Sequence, residues 1–179
     1  MSVRPATPAD AEELARIQVE TWRTGYRKIL PQPVLDALDA SAVAAGWGQS
    51  IASPPSPRHH VLVAMEGEWR VGFVAFGPDA DARPQDPDSE STVAISVLLV
   101  EPRWGRRGHG SRLLAAVADL AAGVDAHRLV AWLPVADTAS LEFYRSAGWA
   151  ADGMQRGLDT GAGVVSELRL HTSLHTPAD

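Results

Sequence analysis

A mixed layer of helices and strands, with the most apolar strands in the middle, is the fold class that this 179-residue sequence predicts. Three observations predict it. Val93 to Val100 is apolar on both faces with only Ser96 interrupting, the pattern of a central strand covered from both sides. Arg128 to Leu133 reads as a second buried strand. Ala11 to Trp22 and Gly108 to Ala122 carry apolar residues at helical spacing, so each segment buries one face in a shared core.

The elements follow in order. Val3-Arg4-Pro5 opens as a short strand. Thr7-Pro8-Ala9-Asp10 is a helix start, with threonine as N-cap, proline at the first helical position and a carboxylate facing the helix dipole. Ala11, Leu14, Ala15, Gln18 and Trp22 form the inward face, and Gly25 and Pro31 end the segment. Val34 to Ile51 holds one or two short helices, and Ser53-Pro54-Pro55-Ser56-Pro57 is a stiff connector. Val61 to Ala64 and Val71 to Phe76 are strands of a hairpin turning at Glu66-Gly67-Glu68. Pro78 to Ser91, with five acidic residues and three prolines, reads as a mobile solvated loop, an acidic lure for a cationic amine being the alternative. The helix from about Gly108 turns Leu113, Leu114, Val117, Leu120 and Ala121 inward and stops at Gly123. Asp137 caps a helix carrying Leu141, Tyr144 and Ala147, closed by Gly148-Trp149. Two last strands lie near Trp149 to Arg156 and Val164 to His171, and 172–179 is a tail.

Composition narrows the function. The length fits one domain spanning 1–179. A net charge of −6 argues against non-specific nucleic-acid binding. The absence of cysteine removes disulfides, thiolate–metal sites and a cysteine nucleophile. The N-terminus, Met1 to Asp10, has no apolar h-region of a signal peptide, and the best apolar stretch, Val93 to Val100, is too short to span a bilayer, so a cytoplasmic protein without membrane contact is expected. His171 and His175 stand four apart, but on a strand pattern, and no metal is expected.

The most informative stretch is Val100-Glu101-Pro102-Arg103-Trp104-Gly105-Arg106-Arg107-Gly108-His109-Gly110-Ser111. It joins a buried strand to a helix N-terminus, where backbone N–H groups lack intrahelical partners and the dipole favours an anion. Glycine lets phosphate oxygens approach the main chain. Arg103, Arg106, Arg107 and Arg112 concentrate positive charge there in an otherwise acidic chain. A Walker loop would need a Gly-Lys-Ser/Thr ending, and a dinucleotide turn would need the opposite glycine spacing; neither is present. No G-x-S-x-G elbow occurs either.

This segment resembles the acyl-CoA-binding motif of the GNAT superfamily of N-acetyltransferases, a strand ending in Val-x-Pro followed by Arg/Gln-x-x-Gly-x-Gly/Ala. Asp137-Thr138-Ala139-Ser140-Leu141-Glu142-Phe143-Tyr144-Arg145-Ser146-Ala147-Gly148-Trp149 is similar to that family's second motif, Asn-x-x-Ala-x-x-Phe-Tyr-x-x-x-Gly-Phe. The opening through Thr21-Trp22 and Tyr26 also looks like the start of many such enzymes. Gly105 replaces the usual Arg/Gln, Asp137 the asparagine and Trp149 the phenylalanine. The resemblance implies a mixed, mostly antiparallel sheet of about seven strands with helices on both faces. It implies acetyl-CoA as cosubstrate, with its pyrophosphate on the backbone of Arg106, Arg107, Gly108, His109, Gly110 and Ser111. The backbone of Leu98 and Val100 would pair with the pantetheine arm, the Leu98 amide would serve the thioester carbonyl, and Asp137 and Ser140 would line the other side.

Amine attack on a thioester needs a neutral amine, a stabilised oxyanion and a protonated leaving thiolate. By the same resemblance Tyr144 serves the thiolate, although a phenol at ~10 against a thiol at ~8.5 makes complete transfer slightly uphill. Trp22 and Tyr26 would form the wall for the acceptor, a small-molecule or peptide amine. No carboxylate stands early in the central strand, where Ala94 lies, and Glu20, Glu101 and His109 are the candidate bases by residue type. Without cysteine or an evident serine nucleophile, direct attack in a ternary complex is expected. The alternative is a CoA-sensing module that keeps the cradle without catalysis, supported by the missing strand carboxylate and opposed by Tyr144. The oligomeric state is open, a homodimer included.

Overall fold

The computed structural model describes residues 2–82 and 89–174. Seven strands form one sheet: β1 (Ser2–Pro5), β2 (His60–Glu66), β3 (Trp69–Pro78), β4 (Thr92–Val100), β5 (Arg128–Pro134), β6 (Ala150–Asp159) and β7 (Val164–Ser173). Their spatial order is β1-β2-β3-β4-β5-β7-β6. Every neighbouring pair is antiparallel except β4 and β5, so the sheet is mixed, as the resemblance implied. The doubly apolar segment is the middle strand, for a strand covered on both faces must avoid polar side chains.

Helices α1 (Ala11–Gly25), α2 (Gln32–Asp36) and α3 (Ala40–Ala52) precede the hairpin; α4 (His109–Ala122) and α5 (Thr138–Ser146) follow β4 and β5. Leu14 and Ile17 of α1 pack with Val63, Phe73 and Leu99 on one face of the sheet, joined there by Trp47 and Ile51 of α3. Leu14 and Ile17 are completely buried, each contributing roughly 1.5–3 kcal/mol. On the other face Leu113, Leu114, Val117 and Ala121 of α4 share a core with Leu141 and Tyr144 of α5 and with Val71, Val74, Ile95, Leu129 and Leu170.

Asp10 does more than face a dipole. It is fully buried and accepts hydrogen bonds from both Arg4 nitrogens at 2.8 Å, from Arg70 Nε at 2.6 Å and from the Thr7 N–H at 2.8 Å. The Arg4 bonds, against the opposing effect of burial and with Arg70 and Thr7 helping, hold this carboxyl far below the usual carboxylate range. One residue thus ties α1 to β1 and β3. The turn at its foot, Pro8–Asp10, is 3-10 rather than α.

Several expectations are corrected. Leu120 is 43% exposed and not inward, because the α4 core face is already completed by Val117 and Ala121. Ala147 is exposed as well. Gly123 does end α4 as expected, though in a right-handed conformation, with the positive φ two residues later at Asp125. The tail begins later than expected, since Thr172 and Ser173 pair with Leu129 and Arg128 inside β7. His171 pairs in that strand, whereas His175 lies outside the described residues. The loop expected at 78–91 is shortened at both ends: Pro78 closes β3 and Ser89–Ser91 is a 3-10 turn. Residues 83–88 of it lie outside the described residues.

Candidate active site

β4 and β5 pair only over Thr92–Ile95 against Arg128–Ala131 and then diverge. Opposite the divergence, β4 carries a bulge against β3: Ile95 faces Phe76 and Val97 faces Ala75, leaving Ser96 as the extra residue. The Glu101 N–H bonds to the Val71 carbonyl at 2.9 Å. Antiparallel alternation then makes Leu99–Phe73 and Val97–Ala75 the hydrogen-bonded pairs, so the backbone groups of Leu98 and Val100 face away from β3, towards the gap. The two residues singled out for backbone pairing are thus those whose main chain the register leaves facing the opening.

The helix after β4 starts without a side-chain cap. Gly108 is its N-cap at φ +81°, a left-handed value that a side chain would strain, and the Arg112 N–H is the first to close a turn, on the Gly108 carbonyl at 3.1 Å. The N–H groups of Gly108, His109, Gly110 and Ser111 therefore have no intrahelical acceptor. A Cβ at Gly110 would lie 3.0 Å from the Phe143 ring, so glycine there lets α4 and α5 approach. Arg106, Arg107 and Ser111 are exposed, with Arg106 at φ +60° and the Arg107 guanidinium 4.9 Å over the Trp104 ring. Not all the expected charge is available, because Arg103 Nε is bound to Glu101 at 2.7 Å. His109 turns its ring inward beside Trp104, which leaves only its backbone for an anion.

At the gap itself a cavity of 160 Å³ is lined by Ser96, Leu98, Tyr26, Ser140, Tyr144 and Glu167, with Trp22 at its wall. Tyr144 comes from α5, 3% exposed, and its ring sits edge-on to Trp149 at 4.8 Å. Its hydroxyl has no hydrogen-bond partner among the described residues. Burial, with a smaller effect from Tyr26, pushes this phenol well above its ordinary value. Trp22 and Tyr26, their rings 6.1 Å apart, reach the cavity from α1 and its C-terminal turn.

Asp137 differs from its expected place. One carboxylate oxygen accepts the Ser140 N–H at 3.1 Å as helix cap; the other accepts the Tyr26 hydroxyl at 2.8 Å. Ser140 lines the cavity but Asp137 is 7% exposed and spent on these two bonds. The change from asparagine thereby gains a second acceptor, which links the end of α1 to α5. Burial, then the charge and hydrogen bond of Asp137, push the Tyr26 phenol well above its ordinary value.

None of the three candidate bases lines the cavity. Glu20 is bound to Arg16 at 2.6 Å on the outer side of α1. Glu101 is buried, which pushes its carboxyl up, but hydrogen bonds from Arg16 and Arg103 outweigh this and hold it below its ordinary value. His109 Nε2 stands 3.6 Å from Glu66, and burial pushes its pKa down. The carboxylate that does line the cavity, Glu167 on β7, is not marked by the sequence, because alternating polar residues in a last strand look like a solvent face. Its neighbours Val165 and Arg169 are buried on the same side, so this face of β7 is covered, which the sequence pattern does not reveal.

The sequence model described as the acetyltransferase (GNAT) family matches residues 13–149. The chain belongs to this family. It is 28% identical over 148 residues to the uncharacterized N-acetyltransferase YuaI of Bacillus subtilis (strain 168), covering 82% of this chain and 78% of that one. Among solved structures, a ribosomal-protein-alanine N-acetyltransferase from Brucella melitensis superposes with a TM-score of 0.73 at 22% identity, over 97% of this chain and all of that one. Salmonella typhimurium yncA, solved with its cofactor acetyl-CoA, gives 0.71 at 20% identity, over 100% and 96% of the two chains. At these identities the structural likeness speaks for the fold. Among the described residues no helix is long and apolar enough to cross a membrane, and no group of three or more metal-ligating side chains occurs.

Proposed function

We propose that this GNAT-family acetyltransferase moves acetyl from acetyl-CoA to a primary amine by direct attack in a ternary complex. One observation carries the reading: the uncapped N-terminus of α4 follows the strand whose outward-facing backbone borders the cavity that Tyr144 lines. These features fit a CoA thioester. The free N–H groups of Gly108 to Ser111, with Arg106 and Arg107, would hold its pyrophosphate. The Leu98 and Val100 backbone would receive its pantetheine arm as an added strand, with Ser140 opposite, Asp137 supporting Ser140 and Tyr26 from behind. When bound, the thioester supplies an activated acyl group.

The chain's own residues then have separate tasks. The Leu98 N–H, fixed by strand register, stabilises negative charge on the reacting carbonyl oxygen. Tyr144, kept protonated by its burial, donates a hydrogen bond to the departing sulfur. Trp22 and Tyr26 wall the acceptor side. A second cavity of 600 Å³ shares Ile95 and Ser96 with the first and carries Asp79 and Asp81 on its lining, which suits a cationic acceptor.

Calorimetric titration with CoA and acetyl-CoA, together with thiol release across a panel of primary amines, tests the reading. CoA binding with amine-dependent thiol release is expected. CoA binding without release on any amine would instead identify a sensing module, and no CoA binding would remove the reading altogether.

A further inference from the structure

Resting on that transfer reading, we propose that Glu167 receives the acceptor's ammonium group and takes its proton, with Arg156 as the residue that positions it. Glu167 is the one acidic side chain lining the 160 Å³ cavity among the described residues. It stands on β7 opposite Pro134, the last residue of β5, on the far edge of the gap from Leu98. Alternation along β7 sets its face. Leu168 and Leu170 join the core under α4 and α5, so Val165 and Glu167 look the other way, towards Trp22 and Tyr26.

Tyr144 reaches the same cavity from α5. The gap in the sheet therefore has a phenol entering from one side and a carboxylate from the other. That is the disposition an acyl transfer needs, because the nucleophile's proton and the leaving sulfur depart on different sides of the reacting carbonyl.

Glu167 is held, not loose. It is 6% exposed, and Arg156, its cross-strand partner, donates Nε–H to Oε2 at 2.7 Å. Arg156 is itself stacked 4.4 Å over Trp132 and paired with Asp81. Oε1 has no partner among the described residues, which leaves one oxygen of an anchored carboxylate for an N–H. Arg156 and Ser96 also line the 600 Å³ cavity, so an amine arriving there meets Glu167 at the boundary between the two spaces. The bound ammonium gives one proton to Glu167 and attacks as the neutral amine; the C–N bond forms as the C–S bond breaks, and the second proton released from nitrogen passes to the departing sulfur, which Tyr144 holds by a hydrogen bond. The acceptor class is a primary amine that is protonated in solution, for which a proton-accepting group matters most: an amine at ~10.4 is neutral to only about one part in a few thousand at pH 7.

Glu167→Gln tests this, since glutamine keeps the volume and can still accept from Arg156. With CoA bound, the expected result is unchanged CoA affinity and a loss of at least about 100-fold in kcat. n-Butylamine and benzylamine, titrated calorimetrically, should bind at least about tenfold more weakly. The loss should shrink as pH rises, because the variant depends on amine already neutral in solution. Glu20→Gln, a carboxylate-to-amide change on the outer side of α1 and outside both cavities, should lose less than about threefold. An active parent with Glu167→Gln within threefold of it, or a loss independent of pH, overturns the proposal alone. A parent that binds CoA and transfers to no amine overturns the proposal together with the reading beneath it.

Discussion

On the α4 and α5 side of the gap between β4 and β5, the candidate site is mostly main chain: the free amides of Gly108 to Ser111, and the strand backbone of Leu98 and Val100, to which α5 adds the side chains of Ser140 and Tyr144. On the α1 side it is built from side chains of separate elements: Trp22 and Tyr26 from the end of α1, Asp137 at the start of α5, Arg156 from β6 and Glu167 from β7. A main-chain site is specified by a contiguous stretch of glycines and a register. A side-chain site is specified only where the fold brings distant positions together. The first kind suits the invariant part of a reaction, and the second the part that differs between acceptors.

The comparison breaks most sharply at Tyr144. Tyr144→Phe keeps the edge-on contact with Trp149 and removes only the hydroxyl, so kcat should fall about 100-fold while the dissociation constant of CoA stays within twofold. An equal loss in CoA binding would mean that the hydroxyl belongs to the cofactor's grip and that the two sides are not separable.

Asp10→Asn comes next, acting on the foot of α1 and not on the gap. Arg4 and Arg70 would lose their shared counter-charge, costing about 2–3 kcal/mol in urea unfolding, at the low end for a buried pair because each arginine is one-third exposed. The depressed folded-state pKa makes this stabilisation fully present above the ordinary carboxylate range. It is lost as pH falls below about 4, so parent and variant should converge in acid.

Gly110→Leu sharpens the comparison from the other side. Its side chain must displace Phe143 and part α4 from α5, so CoA affinity should drop about tenfold with a stability cost of about 1–3 kcal/mol. The n-butylamine affinity of the CoA-saturated protein should not change.

The smallest effect is spectroscopic. Tyr26 and Tyr144 are the chain's two tyrosines, and both phenols are held above their ordinary value by burial. Tyrosinate absorbance should therefore appear only well above pH 10, and the stability these groups confer, complete below about 10, should fall as pH rises further. Asp137→Asn should bring one of the two transitions, that of Tyr26, to lower pH and leave the other in place.

Much of the α4 and α5 side is legible in the sequence. The strand Val93 to Val100, the glycines at 108 and 110, and the capped helix at Asp137 are local patterns, each enforced by neighbours in the chain. Tyr144 could be placed because its helix and both motif ends could. Glu167 could not. Its role turns on which face of β7 is buried, and that depends on β5 and β4 parting beside it, a long-range event that leaves no periodic trace. The same holds for the candidate bases: Glu101 precedes Arg106, the first residue of the cradle, by five positions, yet its carboxylate is claimed by Arg16 of α1.

The sequence by itself determined where strands and helices fall and which backbone amides are left without partners, because propensity, capping and glycine act over a few residues. Only the tertiary structure decided which titratable groups meet. Contacts such as Tyr26 with Asp137, 111 residues apart, depend on how seven strands twist and separate, and side-chain chemistry follows that geometry.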